Sequence, residues 1–265
     1  MPLAQPFAQH LAQPLAQPLD GGASQFDPLL RHIIRTVGAR RVVLVTALPG
    51  TQACVATRAA LTSQLIADFG FAGVVVATPT ASEATQDEGL DLDRLDRFVR
   101  ADPGCGGSVE EALAGASWRW RNHEVARWLV WLRDRNASHR PDERAGIGGE
   151  RVLADGRAWV VWAGSRAWAS RVGRGETARE RDVIVEITAA GGEVTESGAD
   201  GAPVRSSLQP DRASAGPLGL RRCFVLGRPI VVHHPYTRAV RPLDGWAPDP
   251  GLAPAARSTP AGRWS

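Results

Sequence analysis

The chain contains no lysine: all 31 of its basic residues other than histidine are arginine, set against 28 acidic residues for a formal charge of +3. An arginine-only basic set could mark a nucleic-acid surface, but these arginines are interleaved with acids along the chain and gather in no stripe, which argues against nucleic acid as a partner. The scarcity of Lys, Tyr and Asn beside abundant Arg, Ala, Gly and Pro fits a GC-rich bacterial genome. No apolar run approaches the roughly 20 residues that cross a bilayer, so no membrane role is expected. The N-terminus has no basic segment followed by an apolar one, so no secretory signal is read, and a cytoplasmic protein is expected. The three cysteines, Cys54, Cys105 and Cys223, are odd in number and far apart. They form neither a C-x-x-C pair nor an even disulfide set. With no spaced His/Asp/Glu set either, no metal and no cofactor is expected.

What the chain does have is a 43% hydrophobic content over 265 residues, enough for one substantial core. Residues 1–25 repeat a Leu-Ala-Gln-Pro phrase whose proline density blocks a helix, and they read as a disordered leader. Leu29, Leu30, Ile33 and Ile34 then form one helix face. Arg41 to Val45 is a β-branched run suited to a buried strand. Ala56 to Phe69 is helical, with Leu61, Leu65, Ile66 and Phe69 on one side, and Val74 to Val76 makes a second strand. Strand, helix and strand in about 35 residues make a βαβ unit with parallel strands. Residues 121–135 form an amphipathic helix through Val125, Trp128, Leu129 and Leu132. Asn136 to Asp155 reads as a loop, and residues 189–219 as long loops. Trp159–Trp162, Val183–Ile187, Cys223–Leu226 and Ile230–Val232 are further strands. The tail 247–265 reads as disordered. The expectation is one α/β domain over 26–246, with a mainly parallel sheet flanked by helices and disordered termini.

Several phrases, in order, resemble the erythromycin esterase family. The stretch from Arg41 to Leu65 is similar to that family's opening strand, loop and helix, through Ala47, Gly50, Thr51, Arg58, Ala59 and Leu61. Trp118-Arg119-Trp120-Arg121-Asn122-His123-Glu124 looks like the family's Trp-x-Trp-Arg-Asn-x-Glu phrase. Val160-Val161-Trp162-Ala163 echoes a strand that ends Trp-Ala-His-Asn in the family. His234 to Asp244 resembles the terminal strand and its Thr-Arg-Ala-x-x-Pro-Leu ending. The resemblance implies the family's α/β frame and, for an intact member, hydrolysis of ester bonds in macrolides and a response to antibiotic.

The departures fall on the chemistry. The resemblance places Thr46 and Pro49 where the first loop has its glutamate and histidine, and Gln52-Ala53 where a His-Glu follows Gly-Thr. Ala77 replaces the glutamate after the second strand, and Gly164 and Ala167 replace the histidines after the Trp-Ala strand. The family's long helical section before that strand is missing, reduced to Asn136–Arg157. None of the replacing side chains is a useful proton acceptor near neutral pH, and losing one general base removes about 10²–10⁴ of rate. No catalytic residue is therefore expected at these positions, and the chain reads as a pseudoenzyme with a ligand- or protein-binding role. The alternative is a divergent hydrolase or tailoring enzyme with a substitute base such as His233 or His234, acting on an ester-containing or macrolide-like molecule.

Arg58 and Arg121 could hold an anionic ligand by bidentate contacts, or serve as scaffold. Asn122 and Glu124 open a helix, where capping and dipole complementarity explain them as readily as ligand binding. Trp120 and His234 complete the candidates for a small-molecule ligand, with core packing the ordinary role of the tryptophan. Cys54, near a helix N-terminus, could be an activated thiol or a small buried side chain.

Overall fold

The computed structural model describes residues 26–36, 38–46, 48, 50–77, 90–102, 107–163, 182–189, 191–197, 202–208, 230–234 and 237–243. The leader, the tail, the strand expected at Cys223–Leu226, and the positions Pro49, Gly164 and Ala167 lie outside the described residues.

The chain enters through a short helix α1 (Asp27–Arg31) that widens into a π-helical turn (His32–Thr36). Six strands then build one sheet: β1 (Arg41–Thr46), β2 (Gly73–Val76), β3 (Gly146–Gly148), β4 (Trp159–Ala163), β5 (Asp182–Ala189) and β8 (Ile230–His234). Their order is β3-β2-β4-β1-β5-β8, and every neighbouring pair is parallel. The chain is thus an α/β protein, as its βαβ pattern implies. β6 (Gly192–Ser197) and β7 (Pro203–Leu208) form a separate antiparallel hairpin. That hairpin corrects the reading of 189–219 as loops, which rested on a Gly/Ser/Asp-rich composition carrying little apolar alternation.

Between β1 and β2 runs α2 (Gln52–Phe69), stopped by Gly70 in the left-handed region at φ 69°. Two short helices, α3 (Leu92–Val99) and α4 (Val109–Ala112), precede α5 (His123–Ala137). The stretch after α5 is not a bare loop, which corrects that expectation. It holds a 3-10 turn (Pro141–Glu143), β3, and a second 3-10 segment (Glu150–Asp155). A Gly-Ile-Gly strand is too short to show a period. It exists because Gly73 and Gly146 let two backbones approach so closely that a Cβ on Gly73 would stand 1.9 Å from the Gly146 carbonyl oxygen.

Alternation along the strands divides the core. Val42, Leu44, Val160 and Trp162 face α2, α3 and α5 and join one large cluster. Val43, Val45, Val75, Trp159 and Val161 face the other side, where Val152 and Leu153 of the 3-10 segment cover them. At the amino edge, Arg41 Nε donates to Asp182 Oδ1 at 2.8 Å, and Nη2 engages the second oxygen. This bidentate pair clamps β1 to β5, with the two side chains only 12% and 6% exposed.

Candidate functional site

In an open parallel sheet, ligands bind beyond the carboxyl ends of the strands, where connections leave in opposite directions. Here β1 continues toward β2 on one side while its neighbour β5 is followed by β8 on the other. The carboxyl edge around β1 and β5 is therefore the candidate site.

β1 ends at Thr46, which is fully buried, and β2 is followed by Ala77 at 6% exposure. Neither side chain can exchange a proton near neutral pH. Arg58 reaches this edge from the second turn of α2 and is itself buried. Its guanidinium lies over the Trp162 ring at 4.2 Å and within 5.7 Å of the Trp120 centroid, and Nη1 reaches Thr46 Oγ1 at 3.5 Å. Trp120 and Trp162 stack at 5.8 Å with 15° between their planes, and Trp128 tilts against Trp162 at 4.5 Å. Trp162 Nε1 donates to Thr62 Oγ1, whose hydroxyl donates in turn to the Arg58 carbonyl. One turn of α2 is thereby fastened to β4 through a relay of polar groups under the arginine. A cavity beside the three tryptophans holds only about 10 Å³ and is lined by apolar side chains such as Val74 and Leu129. Room for one water at most makes these tryptophans core rather than a stacking platform there.

His234 closes β8 at the same edge. Thr46 is level with Ile187, and Ile187 with Val232, so His234 stands two residues beyond that level. Its Nε2 lies 2.9 Å from Thr57 Oγ1, with the donor set by the tautomer. Thr57 is fully buried and directly precedes Arg58, a partner that no spacing in the sequence announces.

The N-terminus of α2 is closed from far away. Thr51, the N-cap residue, makes no side-chain cap; its hydroxyl donates to Leu48 O at 2.9 Å. Instead Gln52 N–H donates to Arg238 O at 2.7 Å, and Ala53 N–H to Thr237 Oγ1 at 3.0 Å. The same segment, 237–243, runs on to the start of α5, where His123 N–H donates to Arg241 O and Leu243 N–H to Arg121 O. This Thr-Arg-Ala-Val-Arg-Pro-Leu phrase, expected as the ending of a terminal strand, is not a continuous strand. It is a strap that pairs by isolated bridges, Thr51 with Ala239 and Asn122 with Pro242. Gly50 lies beneath it, its carbonyl accepting from both Thr195 and Val240 N–H. A Cβ there would meet the Thr195 oxygen at 1.8 Å, so the turn admits only glycine.

At α5 the capping reading of Asn122 finds its geometry. The side chain accepts from Val125 N–H at 3.0 Å and donates to Arg119 O at 2.7 Å. Arg121 is half-buried, its Nε without a hydrogen-bond partner among the described residues. The Glu110 carboxyl is held below the usual range by its own backbone N–H first, then the Ser108 hydroxyl, with Arg121 adding a smaller pull. Glu124 is 7% exposed. Burial pushes its carboxyl above the usual range, opposed by its own N–H, the Gln52 side chain, Arg127 and His123. Cys54 is fully buried, and desolvation pushes its thiol up to about 11 against the smaller pull of Thr51 and Arg58. That is an unreactive thiol, not an activated one. Among the described residues, no three His, Cys, Asp or Glu side chains converge as a metal site would require. No described helix is long and apolar enough to cross a membrane.

Residues 84–154, which include α3, α4, the tryptophan-rich turn and α5, match the erythromycin esterase family model. Over this segment the chain is similar to the erythromycin esterases. Two solved structures share the fold of this chain. One is a crystal structure of a succinoglycan biosynthesis protein, with a TM-score of 0.60, 11% identity, and coverage of 91% of this chain and 99% of the other. The second is a protein from Bacillus cereus, at TM-score 0.59 and 10% identity, covering 89% of this chain and 98% of the other. The matched segment contains Trp118 to Glu124, the phrase on which the resemblance in the sequence rests most.

Proposed function

We propose that this domain keeps the erythromycin esterase-like frame as a binding scaffold and does not hydrolyse ordinary esters. The observation that carries this reading is the state of Arg58, whose guanidinium is spread on Trp162 beside a threonine hydroxyl. An arginine held on an aromatic face keeps its charge and can still orient an anion, yet it neither takes nor gives a proton. The Thr46 hydroxyl beside it does not ionise near neutral pH, and the neighbouring Cys54 thiol is pushed up to about 11. A small anionic ligand held at the carboxyl edge, or a protein docking there, is the role this arrangement supports. The test is incubation of the full chain with p-nitrophenyl esters and with a macrolide lactone. Turnover no faster than buffer is expected; hydrolysis at enzymatic rates would overturn the proposal.

A second reading rests on His234 and Glu124, two ionisable groups that other elements bring near the N-terminal turns of α2. Under it, one of them replaces the lost base and the domain is a divergent hydrolase or tailoring enzyme. A candidate base must reach the water it activates, so geometry is its first requirement. Any turnover then has to vanish in Glu124→Gln or His234→Gln while the fold persists, and turnover indifferent to both variants rejects this reading.

A further inference from the structure

Glu124 is placed where a carboxylate is costly. It stands in the first turn of α5, is 7% exposed, and its Oε2 is buried with no hydrogen-bond partner among the described residues. Around it meet three elements: the start of α5, Gln52 at the start of α2, and the strap, whose Arg238 and Arg241 carbonyls close the N–H groups of Gln52 and His123. The charged groups that act on it, His123 and Arg127, both belong to α5 and both favour the ionised form. From α2 the neutral Gln52 amide bonds to it, and the strap's own arginines, Arg238 and Arg241, are exposed. A buried carboxylate needs donors for its lone pairs or a cation bonded to it, whereas the neutral acid carries no charge to desolvate and needs one donor fewer.

We propose that Glu124 is a proton-operated latch: as the neutral acid it seals the junction of α2, α5 and the strap, and as the carboxylate it loosens that junction. The Gly50 turn responds with it, because the strap's Val240 holds the Gly50 carbonyl. The proposal stands whether or not the domain turns over an ester. Its direction follows from burial. A carboxyl that holds its proton more tightly folded than unfolded adds stability below the unfolded value, and that contribution disappears as pH rises through the folded one.

Two measurements on the full chain test this. The first compares melting temperature and amide exchange from pH 4.5 to 8.5 in the natural chain and in Glu124→Gln. The natural chain is expected to lose melting temperature as pH rises while Glu124→Gln does not. Exchange at Gln52, Ala53 and His123, corrected for its intrinsic pH dependence, is expected to quicken several-fold only in the natural chain, with Val160 in β4 unmoved. Parallel curves for the two proteins, or quickening that extends equally to Val160, overturn the latch. The second follows the Glu124 carboxyl carbon by NMR in the natural chain and needs no variant to fold. A midpoint above the ordinary glutamate range is expected, and one at or below it overturns the proposal.

Discussion

Thr237→Val is a sharp test of how α2 begins. The threonine hydroxyl accepts from Ala53 N–H at 3.0 Å and donates to Arg238 O at 3.2 Å, in a residue 3% exposed. Valine has nearly the same shape, so no cavity opens and the loss is almost purely polar. Removing a capping oxygen costs about 0.5–2 kcal/mol. Leaving a buried N–H unpaired costs about 1–3 kcal/mol. Because both figures count the same N–H, they overlap rather than add, and the expected loss is about 2 kcal/mol. In a domain of this size each kcal/mol is worth about 2–4 °C, so the melting temperature should fall by about 4–8 °C. Circular dichroism melts of the full chain measure this directly. Thr51→Val is the control: Thr51 holds the formal capping position, yet its hydroxyl donates to Leu48 O and caps no N–H of α2, so about 1 kcal/mol is expected. A Thr237→Val protein that melts with the natural chain, or less affected than Thr51→Val, would refute the strap as the cap of α2.

Breaking the Arg41–Asp182 clamp by Arg41→Ala should cost about 3–5 kcal/mol, because it removes the guanidinium that compensates a nearly buried carboxylate, and urea titration reads the change. Gly50→Ala should yield little folded protein, since its Cβ would overlap the Thr195 carbonyl; recovery of a normal melt would contradict that turn. In a chain with Cys105 and Cys223 replaced by serine, Cys54 should resist a disulfide reagent at pH 8 until the protein is unfolded. Its thiol, raised to about 11, favours the folded state at pH below the ordinary thiol value and ceases to do so as pH climbs through 11. Fast labelling of the folded chain at pH 8 would show a thiolate where burial forbids one.

The elements best read from sequence are those whose periodicity is set by burial on one face. The Arg41–Val45 run, the Leu61/Leu65/Ile66/Phe69 face and the Val74–Val76 run are β1, α2 and β2, though α2 begins four residues before Ala56. Its start was hidden because the cap is supplied by Thr237, 184 residues away, while the local Thr51 makes no side-chain cap. β3 escaped because three residues cannot display alternation, and β6–β7 because their polar outer face resembles a loop. At the site, the Arg58, Trp120 and Glu124 positions came from the family phrase. The Thr57–His234 contact and the burial of Glu124 depend on which turn of one element meets which strand of another, and no spacing along the chain encodes that. The capping chemistry of Asn122 was legible, since an asparagine before an amphipathic run is its own evidence.

The strap has a consequence for how the molecule is made. Both α2 and α5 are synthesised long before residues 237–243, which close their first turns, leave the ribosome. A nascent chain can condense its helices on β1, β2 and β4 early, yet the Gly50 turn and two helix openings wait for a segment that emerges much later. Such distant closure slows the last step of folding and leaves the carboxyl edge of the sheet bare for chaperones or proteases in the interval.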